Sequence, residues 1–171
     1  MTPDWVKEFR KKALEITRIS HHKVFEYPQD SLDVLKTRGK GCCVSWSKLV
    51  TEIAIKHKID YTQYIVDDNT KKEPPKITLR KDIFGNMWLQ SVEYTQSLVN
   101  DSSKKDWEDA PHQVTLLEDR SGQMWLQSNE CIKMVDNEAH MLKIIPNMVA
   151  TKWPFGCHIV SKFKYKESDL K

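Results

Sequence analysis

The pentapeptide Met-Trp-Leu-Gln-Ser occurs twice in the chain, inside two longer stretches that resemble each other. Residues 77–93 return as residues 114–130 after an offset of 37 positions, and in both copies a turn that contains glycine interrupts the apolar pattern. Strand-forming residues on either side of such a turn predict a β-hairpin. Because two copies are too few for a solenoid, we predict a duplicated hairpin that packs Trp88 and Trp125 into one sheet.

The residues that precede the two hairpins in the chain show helical periodicity. Apolar residues at three- and four-residue steps predict a first helix over 3–19. Asp30 or Ser31 is suited to capping a short second helix. A third helix is predicted to begin at Cys43 and to end near His57, because its apolar residues form a buried stripe: Trp46, Leu49, Val50, Ile53 and Ala54.

Strand patterns dominate after Ile59. Residues 61–66 predict a strand before the first hairpin, and two more strands, 142–145 and 157–165, are predicted after the second. Helices first and antiparallel strands second indicate the α+β class, with N-terminal helices packed on an antiparallel sheet. We treat residues 1–171 as one domain, because that length fits a single hydrophobic core.

The charge and hydropathy of the chain exclude several classes of protein. Its net charge is +3, and lysines and arginines are interspersed with acidic residues, which is typical of a solvated surface. The mean hydropathy is −0.61, and no apolar run approaches the roughly 18 residues of a membrane span. The charged segment 1–12 does not resemble a signal peptide. We expect a cytoplasmic protein with no membrane partner.

The four cysteines, Cys42, Cys43, Cys131 and Cys157, have no spacing that resembles a disulfide framework. Neighbouring cysteines rarely form an unstrained bridge, because their Cα atoms lie too close together. The sequence therefore predicts reduced thiols and an intracellular setting. It also contains no C-x-x-C or H-x-x-x-H pair, so we expect neither a metal nor another cofactor.

The segment Gly39-Lys40-Gly41-Cys42-Cys43 carries the strongest chemical signal, since a glycine-rich turn opens a helix with a cysteine in its first residues. A helix N-terminus favours negative charge and offers unpaired N–H groups. Such a position lowers the pKa of a thiol and can bind an oxyanion. Cysteine also behaves as a small hydrophobic residue, so a purely structural role for this pair stays open.

This helix start resembles the transglutaminase-like branch of the papain-type cysteine enzymes, which includes the bacterial transglutaminase-like cysteine proteinases. The family has a Gly-x-Cys helix start, a small residue, a hydrophobic stripe and a Gly-Ile-like exit into a strand. Here Gly41 opens the motif, Ser47 is the small residue, and Ile59 stands at the exit. Counted back from Ile59, the resemblance identifies Cys43 rather than Cys42 as the nucleophile.

The same resemblance implies a catalytic triad, with a histidine at the start of a strand and a carboxylate or amide on the next strand. His112 opens a strand of the second hairpin, and Asn129 lies four residues after Trp125, where the family has an aspartate. Asparagine is chemically sound there, because papain-like enzymes orient the imidazole with it. Gln127 shares the face of Asn129 and is the second candidate for this role. The resemblance covers about 27–130, the expected core.

The family mechanism implies that Cys43 attacks a carbonyl or carboxamide carbon while His112 acts first as base and then as acid. The Cys43 N–H and an upstream donor bind the oxyanion in this scheme, and Gln29, Tyr27 and Trp46 are the candidates for that donor. We therefore expect a hydrolase or acyltransferase that acts on protein or peptide substrates, of the peptidase, amidase or transglutaminase-like kind.

A non-catalytic binding module of the same fold is the alternative interpretation, in which His112 is an ordinary loop histidine and Asn129 a turn residue. Residues 162–166 alternate lysines with aromatic residues, a pattern that suits contact with a nucleic-acid backbone. The same pattern is more typical of an edge strand whose lysines prevent aggregation. An enzyme brings Cys43, His112 and Asn129 together in one cleft, whereas a binding module shows a continuous basic face elsewhere.

Overall fold

The computed structural model of the protein describes seven parts of the chain, namely residues 1–19, 31–39, 41–70, 77–81, 87–91, 111–149 and 153–170. In chain order the described elements are α1 (Asp4–Ile19), α2 (Leu32–Arg38), α3 (Cys43–His57), β1 (Asp60–Asp68), β2 (Ile77–Lys81), β3 (Met87–Ser91), β4 (His112–Glu118), β5 (Met124–Ser128), β6 (Cys131–Val135), α4 (Glu138–Met148), β7 (Cys157–Phe163) and a short 3-10 helix (Glu167–Asp169).

Five of the strands form one antiparallel sheet, in the order β6-β5-β4-β1-β7. Helices cover both of its faces. Leu117 and Trp125 belong to the core on the side of α1, α2 and α3, while their neighbours Leu116 and Leu126 belong to the core on the side of α4. The α+β class and the packing of the N-terminal helices on an antiparallel sheet are therefore confirmed.

The three N-terminal helices form where the apolar periodicity predicts them. α1 buries one stripe, made of Trp5, Val6, Phe9, Ala13 and Ile16. The side chain of Ser31 caps α2 by accepting a hydrogen bond from the Val34 N–H at 3.4 Å. α2 ends at Gly39, whose φ of +64° lies in the left-handed region that favours glycine. α3 begins at Cys43 and ends at His57, as predicted.

The two similar hairpins are both present, but they do not share a sheet. β2 and β3 pair with each other as a separate two-stranded sheet, so the prediction that the copies pack into one sheet is wrong. The second hairpin is flanked by other strands, since β4 pairs with β1 and β5 pairs with β6, so neither of its edges is open to β2 or β3. The Trp125 ring packs edge-to-face on Trp5, with the ring centroids 5.8 Å apart.

The prediction of a strand over 142–145 is also wrong, because these residues lie in α4. Asn137 Oδ1 caps this helix by accepting a hydrogen bond from the His140 N–H at 2.9 Å, and Met141 and Ile145 are buried one turn apart. A short apolar run fits a strand and a helix equally well, so periodicity alone did not separate the two. The later predicted strand, 157–165, is present as β7 over Cys157–Phe163.

An ion-pair cluster joins α1 to the end of α3. Glu8 lies 2.7 Å from His57 Nε2 and 2.9 Å from Lys56 Nζ. Hydrogen bonds from His57 and then from Lys56 lower the pKa of Glu8 from its ordinary 4.5 to about 2. A carboxylate whose pKa is lowered by folding stabilises the protein above its unfolded pKa and loses that contribution as the pH falls towards the folded value.

We expect Glu8→Gln to lower the free energy of unfolding by about 1 kcal/mol at neutral pH, the size of a surface ion pair. The difference from the native protein should shrink as the pH falls from 4.5 to about 2 and vanish only below that, where Glu8 is protonated in both the folded and the unfolded state. Urea denaturation over a pH series measures this difference. Glu15→Gln, an exposed carboxylate of the same helix, is the control. A difference that stays constant down to the lowest pH would contradict the assignment.

Candidate active site

Cys43 is the first residue of α3, and a close contact shapes the turn before it. A Cβ atom on Gly41 would clash with the Ser45 hydroxyl and would lie only 2.7 Å from Leu35 Cδ1, so a larger residue here requires these side chains to move. The Ser45 hydroxyl donates a hydrogen bond to the Cys42 carbonyl oxygen at 2.9 Å. These contacts fix the first turn of α3 and with it the position of the Cys43 thiol.

The Cys43 side chain is half-buried and lies between Cys42 and His112. A hydrogen bond with the Cys42 thiol is the largest of the effects that hold the pKa of Cys43 well below its ordinary value, and burial of the sulfur opposes it. His112 lowers the same pKa through a hydrogen bond and through its charge, and the Gln113 N–H adds another hydrogen bond. Cys43 therefore has the environment of a reactive thiolate rather than of an inert core cysteine.

His112 is the first residue of β4, and its ring contacts a serine of the neighbouring strand. His112 Nε2 and Ser128 Oγ lie 2.8 Å apart, so Nδ1 is the ring nitrogen that this contact does not engage. When Nε2 donates its proton to Ser128 Oγ, Nδ1 keeps the lone pair that a general base needs. Because a hydroxyl can both accept and donate, the contact with Ser128 orients the ring and is compatible with this tautomer.

The register of the hairpin explains this contact. Thr115 pairs with Gln127 across β4 and β5, so positions 112 and 128 lie on the same face of the sheet as diagonal neighbours. Asn129 is one position further along the chain than Ser128, so the strand alternation places it on the opposite face from His112. Ser128 is the partner of the imidazole that the sequence analysis did not identify, because the contact depends on the register between β4 and β5.

Asn129 lies in the turn between β5 and β6, where its φ of +48° is in the left-handed region. Its carbonyl oxygen accepts a hydrogen bond from Gln127 Nε2 at 2.7 Å, and Gln127 Oε1 accepts one from the Ser47 hydroxyl at 3.4 Å. In the part of the chain that the structure describes, no hydrogen bond joins the side chain of Asn129 or Gln127 to His112. Their orienting role stays a prediction, and the observed partner of the imidazole is Ser128.

Of the three candidates for the upstream oxyanion donor, only one lies among the described residues. Trp46 is buried in the core, where its ring packs edge-to-face on Phe9 with the centroids 6.4 Å apart. Gln29 and Tyr27 lie outside the described residues. The N–H groups of the first turn of α3, including that of Cys43, have no partner within the helix and point towards the site. They are the donors that the described structure offers to an oxyanion.

A layer of buried polar side chains fixes α3 against the sheet. Thr51 Oγ1 accepts a hydrogen bond from Gln63 Nε2 at 2.7 Å, which ties α3 to β1. The same hydroxyl donates to the Ser47 carbonyl oxygen at 2.7 Å, and the Ser47 side chain contacts Gln127 on β5. Because hydrogen bonds are directional, this layer sets the rotation and depth of α3 between the two strands that flank β4.

Two lysines of the alternating segment 162–166 are engaged with acidic and aromatic side chains. Lys162 Nζ lies 2.7 Å from Glu138, and Lys164 Nζ lies 2.6 Å from Asp60. Each of the two ammonium groups also lies over a tyrosine ring of β1. β7 is an edge strand of the sheet, so these lysines have the position of the edge-protecting residues described above.

Comparisons with protein-family models, with curated proteins and with solved structures gave no match to this chain. Among the described residues, no group of three or more His, Cys, Asp or Glu side chains could hold a metal ion. No helix in the described ranges is long and apolar enough to cross a membrane. The interpretation of the site therefore depends on its own geometry.

We expect Gly41→Ala to destabilise the protein by about 1–3 kcal/mol through overpacking and to slow alkylation of Cys43 by displacing the thiol. Gly122→Ala is the control, since Gly122 also needs a special backbone, with φ +81°, but nothing lies within 4 Å of its added Cβ. That variant should lose about 1–2 kcal/mol from backbone strain and keep the native alkylation rate. Equal loss of Cys43 reactivity in both variants would contradict the role given to the Gly41 contact.

Ser128→Ala and Asn129→Gly distinguish the two candidates for orienting His112. Loss of one hydrogen bond to the imidazole should cost about 1 kcal/mol, which is roughly a fivefold slower alkylation of Cys43 by iodoacetamide at mildly acidic pH. We expect this loss in Ser128→Ala only, because Asn129→Gly keeps the left-handed backbone and removes a side chain without a contact to the ring. Slower alkylation of Cys43 in Asn129→Gly but not in Ser128→Ala would assign the orienting role to Asn129.

Proposed function

We propose that the protein is a cysteine-dependent acyl-transfer enzyme, and that its helices and sheet form a transglutaminase-like, papain-type core. The observation that carries the proposal is the contact between Cys43, at the N-terminus of α3, and His112, at the start of β4. The resemblance implies this arrangement, in which a helix delivers a thiol to an imidazole on a strand. A cysteine with a purely structural role needs neither an adjacent imidazole nor a lowered pKa.

In the first half-reaction the Cys43 thiolate attacks the carbonyl carbon of an amide or ester, and the electron pair of the C=O bond moves onto oxygen. The N–H groups at the start of α3 stabilise this oxyanion. As the carbonyl re-forms, the bond to the leaving group breaks, and the His112 imidazolium gives its proton to the departing amine. A thioester on Cys43 and a neutral imidazole remain.

In the second half-reaction His112 removes a proton from the acceptor as the acceptor attacks the thioester carbon. The Cys43 thiolate then leaves, and the site returns to its starting state. Water as the acceptor gives hydrolysis, and an amine gives crosslinking or acyl transfer. We favour hydrolysis, because water is always available to a half-buried site.

Ser128 is the positioning residue of this mechanism, in place of the carboxylate or amide that the family uses. A hydroxyl group can orient the imidazole, but it carries no charge and therefore stabilises an imidazolium less than a carboxylate does. We expect the His112 imidazolium to rely instead on the Cys43 thiolate as its neighbouring negative charge.

The proposed substrates are proteins or peptides, and the proposed setting is the cytoplasm. A thiolate that is accessible to substrate is also accessible to oxidants, so it persists best where thiols are kept reduced. Lys162 of β7 and Lys164, which follows the strand, are each paired with a carboxylate, so these two lysines do not favour nucleic acid as the partner.

A p-nitrophenyl ester tests the proposal directly. We expect a stoichiometric burst of p-nitrophenolate followed by slower steady release, with the acyl group found on Cys43 by mass spectrometry after an acid quench. Cys43→Ala should abolish the burst. Cys131→Ser is the matched control, because Cys131 is an exposed thiol whose pKa is raised by burial and by Glu130, and its loss should change neither phase.

The fate of the thioester decides between the enzyme and the binding module. Added hydroxylamine should divert the acyl group to a hydroxamate if an amine acceptor reaches the site. Acylation of Cys43 without any turnover, or at the rate of the unfolded protein, would contradict the enzyme proposal and favour a binding module of the same fold.

A further inference from the structure

In the acyl-transfer mechanism the Cys42 thiol forms no covalent bond, and its role there is a hydrogen bond that lowers the pKa of Cys43. We propose that Cys42 is a resolving cysteine: when a hydroperoxide oxidises Cys43, Cys42 closes a reversible disulfide with it. The site would then be a redox-sensitive modification site as well as an acyl-transfer site. This proposal stands on the geometry of the two thiols and does not depend on the acyl-transfer activity.

The backbone at the start of α3 brings two adjacent side chains together. Cys42 is the N-cap, with extended φ and ψ of −107° and −177°, while Cys43 is already helical. In a regular strand adjacent side chains point to opposite faces. At this junction the two thiols are consecutive along the chain, and the Cys42 side chain is the first cause of the lowered pKa of Cys43. Both residues are half-buried, so a small hydroperoxide can reach them.

The other two cysteines have different environments. Cys157 is buried, and its thiol donates a hydrogen bond to the Leu142 carbonyl oxygen at 3.4 Å. That oxygen lacks its usual helical donor because residue 146 is proline. Burial, with a smaller effect of Asp68, raises the pKa of Cys157 to about 11, so it is a poor nucleophile. Cys131 is an exposed residue at the start of β6.

The oxidation proceeds in two balanced steps. The Cys43 thiolate first attacks an oxygen of the hydroperoxide, so that an S–O bond forms and the O–O bond breaks. The alcohol or water that leaves takes its proton from the His112 imidazolium, and Cys43 becomes a sulfenic acid, oxidised by two electrons. The Cys42 sulfur then attacks the Cys43 sulfur. The S–S bond forms, the S–O bond breaks, and the hydroxide departs as water with the proton of Cys42.

A disulfide between adjacent residues is suited to a switch rather than to a permanent cross-link. Across a trans peptide the Cα atoms are about 3.8 Å apart, which is shorter than the roughly 4.4–6.8 Å of relaxed disulfides. The resulting strain makes the bond easy to reduce. A dithiol reductant returns two electrons and two protons and restores both thiols. While the disulfide is closed, the nucleophile is blocked and is protected from irreversible oxidation to sulfinic acid.

Mass spectrometry of one tryptic peptide tests the proposal without any substrate. Trypsin cleaves after Lys40 and Lys48, so residues 41–48 are released as a peptide that contains Cys42 and Cys43 and no other cysteine. After treatment with hydrogen peroxide and blocking of the remaining thiols, we expect this peptide to lose the mass of two hydrogen atoms. Dithiothreitol should reverse the change.

Cys42→Ser is the matched variant, because serine is a preferred N-cap residue and its hydroxyl can still donate a hydrogen bond to Cys43. The variant should therefore fold, and it cannot form the disulfide. Its rate of Cys43 alkylation by iodoacetamide is measured first, so that oxidation yields are compared relative to the reactivity of Cys43 in each protein. We expect it to accumulate a dimedone-reactive sulfenic acid and then sulfinic acid on Cys43, about tenfold more than the native protein does, since the sulfenic acid has lost its resolving thiol.

Two results would overturn the proposal. One is an equal yield of sulfinic acid in the native protein and in Cys42→Ser, with no loss of two hydrogen atoms from peptide 41–48. The other is a disulfide from Cys43 to Cys131 that Cys131→Ser abolishes. Neither readout involves acyl transfer. A negative oxidation result therefore does not contradict the acyl-transfer proposal, and the absence of a p-nitrophenolate burst does not contradict the disulfide proposal.

Discussion

α3 packs its apolar stripe against the centre of the sheet, and both the core and the candidate site depend on this contact. Leu49, Val50 and Ile53 are fully buried there, in one cluster with Leu117 of β4. Burial of each such side chain contributes about 1.5–3 kcal/mol. The same packing places the first residue of the helix at the open end of β4, where His112 begins the strand. The thiol–imidazole contact is therefore a consequence of where one helix and one strand start.

The parts of the fold that could be predicted from the sequence are those with long, regular periodicity. α1 and α3 each repeat their apolar positions over several turns, so tertiary packing and helical propensity agree. The run 142–145 is too short to show a period, and the signal that decides for a helix, the Asn137 cap, lies five residues earlier. The relative position of the two hairpins could not be predicted, because it depends on which strands pair with β4.

Two members of the candidate site, Cys43 and His112, could be identified from their positions at a helix start and a strand start. The partner of His112 could not, because a motif counted along one strand does not contain the register between two strands. Asn129 satisfied the spacing from Trp125, but the structure uses it as a left-handed turn residue. Ser128 became visible only once the pairing of β4 with β5 was known. Ser128 belongs to the repeated pentapeptide. Within this short motif Trp125 packs in the core and Ser128 contacts the imidazole of the candidate site.

The site combines three sources of stabilisation for negative charge on one sulfur: an adjacent thiol, an imidazole and the N-terminus of a helix. These features make Cys43 a nucleophile towards carbonyl carbon in the acyl-transfer proposal and towards oxygen in the redox proposal. His112 supplies a proton in both reactions. Cys42 differs, since it only donates a hydrogen bond in the first reaction and forms a covalent bond in the second.

The most direct test of this account is the ionisation of Cys43 itself, followed by the ultraviolet absorbance of the thiolate as the pH is varied. The absorbance of Cys43→Ser is subtracted, so that only the nucleophile contributes to the difference. The account predicts that Cys43 ionises at a pH well below that of an ordinary thiol, and that His112→Ala moves its titration back towards the ordinary range. A titration at the ordinary thiol pKa, unchanged by His112→Ala, would contradict the thiolate–imidazole site on which the proposed function depends.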